Sequence, residues 1–547
     1  MASASAGEPV GGVVPTSRRV MNLAHFVTQN ARRFPDRPGL IWGERTWSWA
    51  AIEAEVEAIA AVLADLGLGK GDRLLVHSKN CDEMFFAMFA TFRLGAIWVP
   101  TNFRLMPDEV AGLADAAHVK GFLCHGDFPE HATAVAAEMA GKGLQFTLSL
   151  CGAALGQGRL ADRVASRAGT RVREAAVAYD DPCWYFFTSG TTGRSKASVL
   201  THGQMAFVIT NHLSDLVPGT TEADASLVVA PLSHGAGVHQ MNQVARGAVT
   251  ILLPNERFDI DEAFRLIARY RVTNLFTVPT ILKMLVEHPA AALHDHSSLR
   301  TVIYAGAPMY REDQKTALKV LGKVIVQYFG LGEVTGNITV LPPALHTEED
   351  GPDARIGTCG FPRTGMQISI QDEAGTELQP FETGEICVIG PAVFPGYYDN
   401  PAANAAAFRD GWFRTGDLGH VDAQGFLYIT GRASDMFISG GSNVYPREIE
   451  EKILTQGSIA EVAIVGVPDP LWGEVGYAVC VAKPGVTVSE GEVLDFLSGK
   501  IARYKMPKRV FFWDHLPKSG YGKVPKRLVK DALAERGLLP DAGRTAP

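Results

Sequence analysis

Between about residues 19 and 330, helical patterns alternate with short runs of β-branched and aromatic residues. Ile52, Val56, Ile59 and Leu63 keep the i, i+4, i+7, i+11 stripe of an amphipathic helix. Leu74-Leu75-Val76, Ile97-Trp98-Val99, Leu227-Val228-Val229, Ile251-Leu252-Leu253, Leu275-Phe276-Thr277-Val278 and Val302-Ile303-Tyr304 read as strands. Helical stretches over about 264–270 and 311–321 lie between several of them. Strands this apolar on both faces must be covered on both faces. The alternation therefore predicts an α/β fold with mostly parallel sheets flanked by helices. The 547 residues suffice for about three or four domain-sized units.

After about residue 357 the texture changes to short strands and glycine-containing turns, at 367–371, 384–389 and 425–429. This predicts a smaller β-rich subdomain packed on the first. From about Arg432 a compact α+β unit follows, in which Pro446 opens a helix whose Ile449 and Ile453 share a face. Strands at 462–465 and 475–481 and a helix near 490–501 complete it. The expected layout is a tail over 1–19, an N-terminal domain over 20–433, a mobile C-terminal domain over 434–535 and a tail over 536–547. A hinge is expected at Ser434, just before the turn Ser439-Gly440-Gly441-Ser442-Asn443.

Composition narrows the function class. Hydrophobic residues make up 46% and charged residues 20%, values of an ordinary soluble globular protein. The seven cysteines (81, 124, 151, 183, 359, 387, 480) have no close pair, which argues against a disulfide framework or zinc site and fits a reducing, cytoplasmic setting. No apolar run approaches the ~18 residues of a transmembrane helix. Residues 1–19 read as a flexible tail rather than a signal peptide, with a transit peptide the alternative. The net charge of −8 argues against nucleic-acid binding. Nine lysines and arginines against Asp514 alone nevertheless give residues 501–530 a charge of +8. Such a window suits a small polyanion or a solvated face, and the charge balance favours neither.

The stretch Thr188-Ser189-Gly190-Thr191-Thr192-Gly193-Arg194-Ser195-Lys196 packs five hydroxyls, two glycines and a lysine behind the apolar run Cys183-Trp184-Tyr185-Phe186-Phe187. A glycine-rich turn leaving a strand can aim successive backbone N–H groups at an anion, and the hydroxyls and lysine add donors. That is chemistry for a polyphosphate, although the glycine spacing is not that of a Walker loop.

Three further clusters follow in order: Tyr328-Phe329-Gly330-Leu331-Gly332-Glu333 after a predicted strand; Trp412-Phe413-Arg414-Thr415-Gly416-Asp417 with Tyr428-Ile429-Thr430-Gly431-Arg432; and Leu516-Pro517-Lys518-Ser519-Gly520-Tyr521-Gly522-Lys523. Together with the opening stretch, this set resembles the adenylate-forming superfamily of acyl-CoA synthetases, peptide-synthetase adenylation domains and luciferases. The resemblance spans about residues 20–535 and is nearest to stand-alone acyl-CoA synthetases.

The resemblance implies an ATP-dependent carboxylate–CoA ligase: a carboxylate attacks the α-phosphate of ATP, and a thiol then displaces AMP. ATP brings about four negative charges, which backbone donors, Lys196 and Mg²⁺ must spread. By resemblance, the stretch from Thr188 to Lys196 holds the β- and γ-phosphates and Glu333 is the Mg²⁺ ligand. Phe329 stacks on adenine opposite Gly306, Ala307 and Pro308, and Tyr328 and Gly330 beside it belong to the same ATP-binding set. Asp417 accepts from the ribose hydroxyls, and Arg432 contacts ribose or phosphate. Lys523 is the catalytic cation; because it lies on the C-terminal unit, that unit closes for adenylation and then rotates so that Gly440 and Gly441 border the pantetheine of CoA. His234 matches the family's gate or carboxylate-positioning aromatic. His239 and Gln243, one helical turn apart, border the acyl pocket or else face solvent. The expected partners are ATP, CoA and a small carboxylic acid, with a homodimer as the oligomeric expectation.

Two positions depart from the family pattern. Gly332 stands where a threonine hydroxyl is usual, a hydrogen bond to a charged group worth roughly 1.5–3 kcal/mol, which a water or Thr335 is left to replace. A threonine restored at 332 is expected to leave ATP binding intact. Ser434 stands where the hinge commonly has Asp or Lys. The alternatives to a CoA ligase are an enzyme that passes the acyl group to a carrier protein or amine, and a nucleotide-binding pseudoenzyme.

Overall fold

The computed structural model describes residues 19–188, 195–254, 258–307, 309–351, 354–518 and 524–539. The predicted alternation becomes two large sheets. One runs in the order Lys196–Thr201, Pro182–Thr188, Ile97–Thr101, Arg73–His77, Gly121–His125, Phe146–Leu150, and is parallel except for the first strand. The other has nine strands, of which Ile325–Phe329, Thr301–Tyr304, Asn274–Thr277, Ala225–Val228, Val249–Leu252 and Pro38–Trp42 form a parallel block with antiparallel strands at both edges.

Both faces of each large sheet are covered, as doubly apolar strands require. One continuous core joins residues of both sheets to the helices Trp49–Asp65, Asp82–Arg93, His202–Asp215 and Gly235–Arg246. Separate clusters cover the outer faces, with Ile260–Tyr270 and Pro279–Glu287 on one sheet and Pro107–Ala116 and Pro129–Glu138 on the other. The helix Asp82–Arg93 shows why the middle layer is helical: its apolar residues (Met84, Phe85, Phe86, Met88, Phe89, Phe92) go all the way round, and all are buried. A helix apolar on every side belongs inside. Its Arg93 is 2% exposed, which the chain tolerates because Glu53 Oε2 lies 2.5 Å and Glu57 Oε1 3.3 Å from the guanidinium.

The change in texture after residue 357 marks a five-stranded sheet containing Gln367–Gln371, Gly384–Ile389 and the long strand Trp412–Val421. The strand expected at 425–429 runs instead over Leu427–Arg432, because Gly425 occupies the turn at φ +81°. The C-terminal α+β unit sets the helices Pro446–Leu454, Glu490–Leu497 and Lys526–Glu535 against a sheet built on Ile459–Asp469 and Gly473–Ala482. Its middle helix stops at Leu497 rather than near 501, since Ser498 leaves the helical region and Gly499 turns at φ +73°. Among the described residues, no helix is long and apolar enough to cross a membrane.

Removing one partner of a buried ion pair strands the other charge. Glu53→Ala is therefore expected to destabilise the protein by about 3 kcal/mol, and Glu53→Gln by less. Thermal melting of the two variants checks this; equal melting temperatures for Glu53→Ala and the parent chain would contradict the role given to the pair.

Candidate active site

The strand Pro182–Thr188 and its antiparallel neighbour place Thr188 opposite Lys196, at the two ends of the glycine-rich stretch. Ser189, Gly190, Thr191, Thr192 and Gly193 lie outside the described residues, as do Pro308 and Lys523. Thr188 donates its hydroxyl to Glu333 Oε1 at 3.1 Å, so residues 145 positions apart meet. Glu333 sits in the short 3₁₀ turn Gly332–Val334 that follows the strand Ile325–Phe329, and it is 5% exposed.

A third segment completes this junction. Tyr397 donates its hydroxyl to the same Glu333 oxygen at 2.9 Å, while the Phe394 N–H donates to the Glu333 carbonyl at 2.9 Å. Tyr397 reaches Glu333 because its backbone runs along the edge of the strand Lys196–Thr201: the Val199 N–H donates to the Gly396 carbonyl, and the Tyr398 N–H to the Ala197 carbonyl. The Lys196 ammonium lies 5.1 Å from the centroid of the Tyr397 ring. Burial, reinforced by the Glu333 charge, pushes the Tyr397 phenol well above its ordinary range, so it stays protonated and remains a donor. Sequence reasoning missed Tyr397, which carries no local motif and acquires its role only through the β-rich subdomain. With Oε1 taken by two hydroxyls, Oε2 of Glu333 is the oxygen available to a cation. One carboxylate oxygen is the usual protein share of a Mg²⁺ site, in which the remaining ligands are phosphate oxygens and water.

The neighbouring strand ends bring two of the expected nucleotide segments together. Thr301–Tyr304 and Ile325–Phe329 are adjacent and parallel, so Gly306 and Ala307 leave one strand beside the place where Phe329 and Gly330 leave the other. Gly306 turns at φ +83° and is exposed. Gly330 is required by a close crossing of backbones, since a Cβ there would lie 2.4 Å from Gly336 Cα. Tyr328 points to the other side of the strand and is buried, its ring stacked on Phe276 at 6.1 Å.

His234 caps the helix Gly235–Arg246, with Nδ1 2.8 Å from Ser233 Oγ. The approach to it is pinned by Asn80, which donates to the Ala230 carbonyl at 3.0 Å and accepts from the Leu232 N–H at 2.8 Å. The ring of Phe186 meets the His234 ring edge-on, with centroids 5.4 Å apart. His239 and Gln243 do share a face of that helix, and both are buried rather than solvent-facing. They are joined through Asn274, which donates to Gln243 Oε1 at 3.2 Å and lies 3.0 Å from His239 Nε2 through Oδ1. Burial lowers the His239 imidazole to about 4, so the neutral ring donates Nε2–H to Asn274.

Asp417 and Arg432 face each other across an antiparallel pair of strands and form an ion pair at 3.0 Å. The carboxylate is buried and the guanidinium half-exposed. Ser434 is exposed, in a turn where the Asp435 and Met436 N–H groups donate to the Arg432 carbonyl. Gly440 and Gly441 form a two-residue hairpin turn between Ser439 and Ser442, at φ +57° and +79°, the left-handed pair that such a turn needs. Trp472 packs on Gly440, where a Cβ would approach its ring to 2.7 Å.

The basic window is largely neutralised within its own unit. Lys505 pairs with Glu448 at 2.7 Å, Lys508 with Asp469 at 2.5 Å, Arg509 with Glu490 at 3.1 Å and Lys518 with Glu461 at 2.8 Å. Lys526 pairs with Glu450.

Comparison with known proteins agrees with this geometry. Residues 27–398 match the AMP-binding enzyme family, and residues 448–523 match the AMP-binding enzyme C-terminal domain. The chain belongs to the adenylate-forming AMP-binding enzymes. It is 34% identical to a feruloyl-CoA synthase of Amycolatopsis sp, over 94% of this chain and 99% of that one. It is 33% identical to an indoleacetate–CoA ligase of Aromatoleum aromaticum, over 95% and 99%. Among solved structures, ATP-bound MatB from Rhodopseudomonas palustris superposes with a TM-score of 0.83 at 31% identity, covering 94% of this chain and all of that one.

Histidines that burial keeps neutral make the fold acid-sensitive. His239, His202 and His346 are each lowered to about 4 by burial, whereas in the unfolded chain they titrate near about 6.5. Between those values the unfolded state binds more protons, so their contribution is intact above about pH 6.5 and is lost as the pH falls towards 4. The melting temperature is expected to drop between pH 7.5 and 5, and less steeply in His239→Gln. Parallel curves for the two proteins would contradict the assignment.

Proposed function

We propose that this protein is an ATP-dependent carboxylate–CoA ligase that works through an acyl-adenylate. The observation that carries the reading is the junction at Glu333, where Thr188 and Tyr397 hold one carboxylate oxygen beside the strand ends that frame the polyphosphate stretch. Full-length similarity to CoA ligases supports the same acceptor.

Glu333 Oε2 would hold Mg²⁺, which when bound spreads charge over the phosphate oxygens and eases departure of pyrophosphate. The β- and γ-phosphates would rest on the backbone of the 188–196 stretch, with Lys196 as the fixed cation. Phe329 would lie on one face of adenine and Gly306-Ala307 on the other. Asp417 would accept from the ribose hydroxyls, with Arg432 orienting it across the strand pair. His234 would place the acid's carboxylate oxygen in line with the α-phosphate. As the carboxylate oxygen bonds to phosphorus, the bond to the bridging oxygen breaks and pyrophosphate leaves with its electron pair.

Charge builds on the α-phosphate oxygens in that step. The Lys523 ammonium stabilises it more in the transition state than in the ground state, and needs no pKa tuning. In the second step the thiol of CoA attacks the acyl carbonyl and AMP leaves. The C-terminal unit, residues 434–535, would turn about Ser434 between the steps, bringing the Gly440-Gly441 hairpin and Trp472 to the pantetheine path. Feruloyl-CoA synthase, indoleacetate–CoA ligase and the Bacillus subtilis 2-succinylbenzoate–CoA ligase, 31% identical, all carry aromatic acids in their names, so aromatic carboxylates are the substrate class of first choice.

The test is AMP and pyrophosphate formation with ferulate, indoleacetate, 2-succinylbenzoate and octanoate, each with and without free CoA. AMP release dependent on both an acid and CoA is expected. Acid-dependent pyrophosphate release that CoA leaves unchanged would move the acceptor to a carrier protein or amine; no release with any acid would contradict the reading. Lys523→Ala is expected to reduce adenylate formation at least about 100-fold while CoA still reacts with supplied acyl-adenylate. Equal loss in both half-reactions would contradict the division of work between the two faces of the C-terminal unit.

A further inference from the structure

The family position usually filled by threonine is Gly332, and the structure shows what takes the space. The backbone at Gly332 is outside the left-handed region, so room rather than conformation decides what fits there. A Cβ at this position would lie 2.6 Å from Phe186 Cδ1, 2.9 Å from Phe186 Cε1 and 3.0 Å from Thr188 Cγ2. A side chain at 332 therefore requires the Phe186 ring to shift. Thr335 is buried, and its hydroxyl accepts from Gln204 Nε2 at 3.2 Å.

Phe186 and Thr188 are two residues apart on one strand and so point to the same side of the sheet. Thr188 reaches Glu333, whereas the Phe186 ring fills the volume over Gly332 and meets His234 edge-on, with interplanar angle 82°. Edge-to-face contact fixes ring orientation, because the positive edge of one ring seeks the negative face of the other. We propose that Phe186 is a positioning residue for the acid. Its ring occupies the space of the missing side chain at 332 and braces His234, so that Phe186 and Gly332 act as one unit in setting where the carboxylate meets the nucleotide. This rests on the adenylation reading above and names a determinant within the same site.

A double-mutant cycle with Phe186→Leu and Gly332→Thr tests the coupling, read by acid-dependent ATP–pyrophosphate exchange with whichever of the four acids gives the fastest rate. Gly332→Thr alone is expected to lose about 100-fold, and Phe186→Leu added to it should recover at least about tenfold, since neighbours that share one space are not additive. Phe186→Leu alone should raise the KM for the acid about fivefold and leave the KM for ATP within about twofold, a split that a merely structural residue would not produce. Additive losses, a fully active Gly332→Thr, or an equal rise in both KM values would overturn the proposal. If melting shows that Gly332→Thr does not fold, the KM split of Phe186→Leu alone decides. Absence of acid-dependent exchange in the parent chain would instead defeat the adenylation reading itself.

Discussion

A carboxylate that is to hold a divalent cation beside a polyphosphate must first be held itself, and Glu333 is held from two directions. Two hydroxyl donors meet on Oε1, which fixes how the carboxylate is turned. Both donors are neutral, so neither competes with a cation for the site. The arrangement also ties three parts of the chain together: the end of the strand Pro182–Thr188, the turn Gly332–Val334 and the β-rich subdomain that carries Tyr397. The large sheets and the β-rich subdomain both contribute contacts to this carboxylate.

The charges elsewhere follow the same logic. Asp417 is buried and paired with Arg432 across the two strands. The C-terminal unit pairs part of its basic surface internally, with Lys505, Lys508, Arg509 and Lys518 on Glu448, Asp469, Glu490 and Glu461. Salt bridges at this level of exposure contribute little to stability, and their effect here is on where positive charge is available.

Much of this was legible before the structure. Strand and helix positions in the large domain followed from periodicity, because doubly apolar strands such as Leu74-Leu75-Val76 have few alternatives to a covered parallel sheet. Glu333, Lys196, Asp417 and Arg432 stood out through the order of motifs. Tyr397 did not, because its contact with Glu333 depends on an edge-strand pairing between residues about 200 positions apart that leaves no periodic trace. The meaning of Gly332 was also hidden: sequence shows a lost hydroxyl, whereas packing shows a volume already taken by Phe186. His239 and Gln243 were placed correctly on one helical face, but only the strand opposite, with Asn274, reveals that they face inward.

We propose that Glu333 is the cation-holding carboxylate and that Tyr397 orients it. The most direct measurement is the Mg²⁺ concentration that gives half-maximal acid-dependent ATP–pyrophosphate exchange, in the parent chain and in Tyr397→Phe. Losing one charge-assisted hydrogen bond from Glu333 should raise that concentration about tenfold and leave the KM for the acid unchanged. An unchanged Mg²⁺ dependence in a folded Tyr397→Phe protein would contradict the central role given to this junction.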